Sequence, residues 1–287
     1  MREIKRIAVL GAGLMGQQIA MQSALSGFST NLYDIDESSL KKADHQLKEL
    51  LRDWINKEKV TEEEVTAAFS RLQYEDDLSK AVAEVDLIIE AIVEDVAIKR
   101  DLFRKIDQLA PERTIFATNS STIVNSKLAA VTNRPDKVVN MHFFNPPLVM
   151  DLVEIVRNDE TTDQTVELVK SFCQSINRKG VVLDKEIFGF IANRILLAIT
   201  KEALHLYEGG YANFEDIDFI VKKALAHPLG PFELMDLTGL DIAYAVSELH
   251  YKETGNELDK PAQAIIDKVN AGQLGRKTGQ GWYDYTT

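Results

Sequence analysis

Ile7-Ala-Val-Leu-Gly11-Ala-Gly13-Leu-Met-Gly16 is the stretch on which the fold turns. A short aliphatic run stops at a G-x-G-x-x-G motif, and a helical pattern, Leu14–Ser26, opens inside it. In a strand–turn–helix setting the three glycines have separate jobs. Gly11 makes the tight turn, Gly13 lets the backbone approach a pyrophosphate, and Gly16 lets the helix pack on the strand. Leu14 and Met15 begin the helix whose free N–H groups face the phosphates. An acid at the end of the next strand should hold the adenosine ribose. Asp34 stands 18 residues beyond Gly16 (34 − 16), near the usual spacing of about 20. Its carboxylate would accept from the ribose hydroxyls and repel a 2′-phosphate, and Ile35-Asp36-Glu37 supplies no cation. NAD is therefore expected over NADP, with FAD, which shares the fingerprint, as the rival cofactor.

Outward from this motif, short apolar runs alternate with helical patterns. Strands are expected at Ile7–Leu10, Thr30–Tyr33, Asp86–Ile92, Thr114–Thr118, Val138–His142, Leu152–Val156 and Gly180–Leu183. Helices are expected at Ser38–Lys59, from a capping box at Thr61–Glu64, at Ala97–Leu109 and at Thr162–Ile176. This alternation predicts an α/β fold with a parallel sheet covered on both faces. After about residue 184 the texture changes. Ile187–Tyr207, Phe214–Leu225, Phe232–Tyr251 and Pro261–Val269 read as helices, with an N-cap at Asn213 and a stop at Gly209-Gly210. Only the tail Gly281–Tyr285 reads as a strand there. The expected division is a Rossmann-like dinucleotide-binding domain over 1–186 and a mostly α-helical substrate and dimerisation domain over 187–287.

Composition narrows the function classes. The 287 residues are 45% hydrophobic and 27% charged, enough to build real cores in one or two domains. A net charge of −12 disfavours nucleic acid and anionic membranes as partners. No apolar run approaches the roughly 18 residues of a membrane span. Met-Arg-Glu-Ile-Lys-Arg before Ile7 mimics a signal peptide, but the apolar run meets Gly11 at once and no cleavage site follows, so a cytoplasmic protein is expected. The single Cys173 reads as a small core residue. No metal-ligand spacing, nucleophile elbow or P-loop is present. Hydride transfer needs none of these, because the cofactor carries the hard chemistry.

Of the five histidines, His142 stands apart. It ends a strand and opens His142-Phe-Phe-Asn145-Pro-Pro147, where open α/β sheets bind ligands. Twelve residues on, Glu154 interrupts the apolar Leu152-Val-Glu-Ile-Val156. A buried carboxylate needs a partner, and a histidine would serve, giving an orienter and a base for proton transfer. A solvated face of an edge strand accounts for Glu154 equally well. Asn119-Ser-Ser-Thr122 suits either ligand binding or a helix cap, and Asn193 suits a surface or capping role.

Together these stretches resemble one family closely. Gly11–Gly16, Glu90-Ala-Ile-Val-Glu94, Asn119–Ile123, Arg134-Pro-Asp-Lys137, His142–Pro147, Leu152-Val-Glu154, Gly189–Arg194, Pro228–Phe232 and Gly275–Tyr283 are similar to the 3-hydroxyacyl-CoA dehydrogenases. The likeness spans nearly the whole chain and is strongest to single-function bacterial 3-hydroxybutyryl-CoA dehydrogenases. The resemblance implies oxidation of (S)-3-hydroxyacyl-CoA by NAD. It makes His142 the catalytic base, Glu154 its carboxylate partner, and Ser121 and Asn193 donors to the substrate oxygen. It adds Glu94, Lys99, Ser121 and Asn145 to the cofactor site. It implies an acyl-CoA partner held in part by the Ser38–Ser70 excursion, and a homodimer built by the helical domain. Dehydrogenases of gulonate or carnitine share the scaffold and are the alternative, as is a non-catalytic NAD-binding protein. The chain departs from the family pattern in Ser120 and Thr122 around Ser121, in Phe188 where proline is common, and in Asp151 where lysine is common.

Overall fold

The computed structural model describes residues 3–286. The chain divides into two compact units, one reaching Phe190 and the other starting at Ile191. In the first, the strands are β1 (Arg6–Leu10), β2 (Ser29–Tyr33), β3 (Leu72–Glu75), β4 (Leu87–Glu90), β5 (Ile115–Thr118), β6 (Val138–Phe143), β7 (Leu152–Arg157) and β8 (Lys179–Leu183). They form one sheet in the order β3-β2-β1-β4-β5-β6-β7-β8. The helices are α1 (Leu14–Leu25), α2 (Glu37–Asn56), α3 (Glu62–Arg71), α4 (Leu78–Val82), α5 (Val96–Leu109), α6 (Ser126–Ala129) and α7 (Asp163–Ser175).

Alternation along β1 explains the two covered faces. Ile7 and Val9 enter a core shared with Ile19, Leu47, Val153 and Phe172. Ala8 and Leu10 enter another, with Phe103, Phe116 and Ile106. The cap residues supply their own start signals. Thr61 and Glu64 exchange both bonds of the expected capping box, and Asp36, Asp95 and Thr162 each accept from a first-turn N–H. Cys173 is fully buried, and burial pushes its thiol up to about 12, so its reading as a core residue holds.

The second unit holds α8 (Ala192–Glu208), α9 (Phe214–Ala224), α10 (Pro231–Thr238), α11 (Leu240–Thr254) and α12 (Gln263–Asn270) around Phe232, Leu240 and Trp282. Asn213 caps α9 as expected, and α8 ends before Gly209. Among the described residues no helix is long and apolar enough to cross a membrane.

Five expectations are corrected. The sheet is not wholly parallel, because β7 runs antiparallel to β6. The link 144–151 is far shorter than the dozen or so residues a parallel crossover needs. β3 was not expected. It is a four-residue edge strand following α3 without a turn, and Leu-Gln-Tyr-Glu lacks an aliphatic run. The single helix read over Phe232–Tyr251 is broken at Gly239, whose φ of +104° ends α10. The helix read from Ile187 starts only at Ala192, because Gly189 and Phe190 take positive φ and Phe190 buries against Val156 and Leu183. The tail 281–285 makes only isolated bridges, Gln280 with Asp284 among them, not a strand.

Candidate active site

The site is assembled at the carboxyl ends of β1, β4, β5 and β6. The strand order reverses between β1 and β4, which Leu10 and Glu90 close as the last pair of their ladder. This is the switch point at which open α/β sheets bind ligands.

The glycine loop has the form its sequence calls for. Gly11 has φ +109°, and a Cβ there would lie 2.6 Å from the Ala91 carbonyl oxygen. A Cβ on Gly16 would lie 1.8 Å from the Gly11 carbonyl oxygen. Both glycines are therefore required by the protein's own packing. Gly13 is different, since a Cβ there meets nothing within 4 Å. The protein does not need that glycine, whereas a phosphate seated on the loop would. Gly13 is also the N-cap of α1 and provides no side-chain cap, so the first N–H groups remain available to an anion. Leu14 is exposed and Met15 half-buried beside them. Asp34 ends β2 and locks onto this loop, accepting from Ala12 N at 2.8 Å with Oδ2 and from Asp36 N at 3.0 Å with Oδ1. Motif and acid are thus brought together, and the set fits a dinucleotide.

On the other side of the switch point lies a charge cluster that runs from the buried Glu90 and Lys99 out to the solvent-exposed Glu94. Glu90, fully buried, accepts from Lys99 Nζ at 2.6 Å, Thr118 Oγ1 at 2.6 Å and Ile92 N at 2.7 Å. Lys99, also buried, stands 3.2 Å from Glu94 as well. Glu94 accepts further from the hydroxyls of Ser120 and, at 2.9 Å, Thr122. Burial pushes the Glu94 carboxyl up, but Lys99 and these hydroxyls outweigh it and hold the group below its ordinary value. Lys99 and Glu94 were read from the sequence. Glu90 and Thr118 received no role there, and Ser120 and Thr122 only the open reading of Asn119-Ser-Ser-Thr122 as ligand donors or a helix cap. The signal for Glu90 was an acid ending the apolar Leu-Ile-Ile-Glu90, the same cue that singled out Glu154.

His142 and Glu154 meet across the antiparallel β6–β7 pair, directly opposite each other in register. His142 Nδ1 lies 2.8 Å from Glu154 Oε2. The two are 7% and 2% exposed, which removes the solvated-edge reading of Glu154. The ring packs against Phe144 and Phe190, at centroid distances of 4.7 and 5.6 Å. With Nδ1–H donating to the carboxylate, neutral imidazole keeps a lone pair on Nε2.

The remaining candidates are placed as follows. Ser121 is half-buried in the loop after β5, with no hydrogen bond to its hydroxyl seen among the described residues. Asn119 Oδ1 ties that loop to β6 by accepting from Phe143 N at 2.9 Å. Asn145 is exposed in the β6–β7 link, whose next turn is held by Arg178 through the carbonyls of Pro147 and Leu148. Asn193 lies in the first turn of α8, in the second unit.

With Asp34 locked onto a phosphate-ready glycine loop at the switch point of a doubly covered sheet, the geometry fits an NAD-dependent dehydrogenase. Comparison with known proteins narrows the class. The NAD-binding domain of 3-hydroxyacyl-CoA dehydrogenase matches residues 6–187, and the C-terminal domain of that enzyme matches residues 189–285. A probable 3-hydroxybutyryl-CoA dehydrogenase of Bacillus subtilis is 37% identical over 283 residues, covering 99% of this chain and 98% of the relative. The human mitochondrial hydroxyacyl-coenzyme A dehydrogenase is 37% identical over 288 residues, 98% of this chain and 91% of its own. The crystal structure of (S)-3-hydroxybutyryl-CoA dehydrogenase PaaH1 from Ralstonia eutropha superposes with a TM-score of 0.93 at 36% identity, over 99% of this chain and all of that one. The chain belongs to the 3-hydroxyacyl-CoA dehydrogenase family, and it is an NAD-dependent oxidoreductase.

Proposed function

We propose that the protein interconverts (S)-3-hydroxybutyryl-CoA and acetoacetyl-CoA, with His142 as the base. The observation that carries this reading is the buried 2.8 Å contact between His142 Nδ1 and Glu154 Oε2 at the carboxyl end of β6. Nε2 of His142 takes the proton of the C3 hydroxyl during oxidation and returns it during reduction. Glu154 fixes the ring and stabilises the imidazolium that forms, the division of labour found wherever a carboxylate orients a histidine base. Bound NAD supplies the acceptor and donor of hydride. Gly11, Gly13, Gly16, Leu14 and Met15 hold its pyrophosphate, and Asp34 holds its adenosine ribose. Glu94, kept ionised by Lys99, accepts from the nicotinamide half of the cofactor, and Asn145 lines the same end. Ser121 donates to the substrate oxygen, and Asn193 is assigned the same partner on the family resemblance. Placement of the reacting atoms supplies much of the rate.

The α2–α3 hairpin is assigned to the CoA moiety, and the helical unit to a homodimer of a cytoplasmic enzyme. NADH oxidation tests the reading directly. Acetoacetyl-CoA should be turned over, and His142→Gln should abolish that turnover without displacing NADH. Turnover of gulonate or carnitine with none of any acyl-CoA would overturn it.

A further inference from the structure

Beneath the His142–Glu154 pair lies a second buried polar group that the reaction does not use. It consists of three asparagines, Asn125, Asn140 and Asn158, 0%, 0% and 7% exposed. Each belongs to one element of the site. Asn125 follows the loop that carries Ser121, Asn140 is on the strand of His142, and Asn158 follows the strand of Glu154. Asn140 stands two residues before His142, on the same face of the sheet.

Their amides form a chain. Asn140 Oδ1 accepts from Asn125 N at 2.9 Å and from Asn125 Nδ2 at 3.0 Å. Asn140 Nδ2 donates to the carbonyls of Ile123 at 3.0 Å and Ser120 at 3.4 Å. Asn125 Nδ2 also donates to the Val156 carbonyl at 2.9 Å, and its Oδ1 accepts from Asn158 Nδ2. Asn158 Oδ1 accepts from Glu160 N at 2.8 Å and Thr161 N at 3.1 Å.

Three buried amides are an expensive way to fill a core. Apolar residues of similar volume avoid the desolvation cost, so stability alone does not select such a network. A fully satisfied polar network does something apolar packing does not, which is to specify one arrangement of the elements it joins. Here the joined elements carry Ser121, His142 and Glu154. The carbonyls held by Asn140 flank Ser121 within the loop, one before it and one two residues after.

We propose that this asparagine network is a positioning device. It fixes the loop of Ser121 against the strands of His142 and Glu154, and Asn140 is its central positioning residue. The proposal rests on the assignment of Ser121 to the substrate oxygen. Asn140 acts through the loop, so its loss moves the hydroxyl donor without removing it. A misplacement of about 1 Å at a reacting centre costs on the order of 10²-fold in rate.

The test is a double-mutant cycle on the full-length enzyme. Asn140→Ala and Ser121→Ala are made singly and together, and kcat and KM are measured with acetoacetyl-CoA and NADH. Asn140→Ala alone should lower kcat by about 10- to 100-fold, leaving the KM for NADH unchanged. In the Ser121→Ala background the same change should lower kcat little further, because the group being positioned is already gone. Asn140→Ser, which replaces the amide and both its donors with a single shorter hydroxyl, runs through the same cycle should Asn140→Ala fail to fold. An equal fold-loss in both backgrounds overturns the positioning role while leaving Ser121 assigned. A folded Asn140 variant with wild-type kcat overturns it as well. Wild-type kcat in Ser121→Ala removes the assignment of Ser121, and with it the claim that Asn140 works through that hydroxyl.

Discussion

Two buried carboxylates on the side of the sheet where the parallel strands end solve the same electrostatic problem in opposite ways. Glu154 on β7 is paired with a histidine, and Glu90 at the end of β4 with a lysine. Both carboxylates would be costly to bury alone. Around Glu90 every partner is committed. Lys99 bridges two carboxylates, and Thr118 and Ile92 N take further lone pairs. Such a cluster holds its geometry and moves no proton. Around Glu154 the partner is an imidazole, which has a second nitrogen turned away from the carboxylate bond. In the proposed function that pair lets a proton come and go. Burial makes a charge expensive, and the partner's chemistry decides whether the outcome is a bracket or an acid–base centre.

Glu154→Gln presses hardest on this contrast. It keeps the shape and removes the charge, and kcat should fall by about 10²–10⁴-fold, the scale of general acid–base catalysis. NADH binding, followed by fluorescence, should stay at the wild-type value. A folded variant with wild-type kcat would reduce the pair to another bracket.

Lys99→Met tests the bracket itself. It strands Glu90 in the core without its cation, and urea unfolding should show a loss of about 3–5 kcal/mol. NADH should also bind more weakly, because Glu94 loses the charge that holds it. Unchanged stability would mean that Glu90 does not depend on Lys99.

Asp34→Ala reaches across the switch point to the adenosine side. NADH affinity should drop by about 1–3 kcal/mol, the worth of hydrogen bonds to a charged acceptor. Preference over NADPH should narrow with it. A wild-type enzyme that used NADPH better than NADH would sink the assignment.

Glu94→Gln should have the smallest effect, and one that depends on pH. The Glu94 carboxyl is held below its ordinary value, chiefly against burial and in favour of Lys99 and its hydroxyl donors. A depressed carboxyl contributes stability above the unfolded value of about 4.3 and loses it as pH falls through the folded one. The gap between wild type and variant should stay below about 1 kcal/mol at neutral pH, because the Glu94 side chain is 37% exposed and its ion pair is screened. It should close in urea titrations carried below about pH 4. A gap that stayed constant with pH would show that the charge of Glu94 is not what stabilises it.

The site was legible wherever a residue's surroundings are written close by in the chain. Gly11–Gly16 and Asp34 carry their context with them, as do the caps at Thr61 and Asn213. Glu154 was visible as an oddity, an acid inside an aliphatic run. Its partner was not settled, because a solvated edge explained it as well until the pairing with His142 was seen. Glu90 posed the same oddity. The failures in the fold have a similar origin. β3 has no apolar run, and the break at Gly239 sits inside a pattern that continues on both sides.

By itself, then, the chain determined the α/β class and the glycine loop of the dinucleotide-binding domain, since these depend on backbone conformations and hydrogen bonds within a few residues and on alternating apolar periods. Only the tertiary structure decided that β7 turns back along β6, and from that reversal the histidine–carboxylate pair follows. It sets His142 opposite Glu154 across 12 residues of chain. It also brings the Val156 carbonyl within reach of Asn125 across 31 residues. Register between strands is fixed by the packing of whole faces, and no short stretch of sequence contains that information.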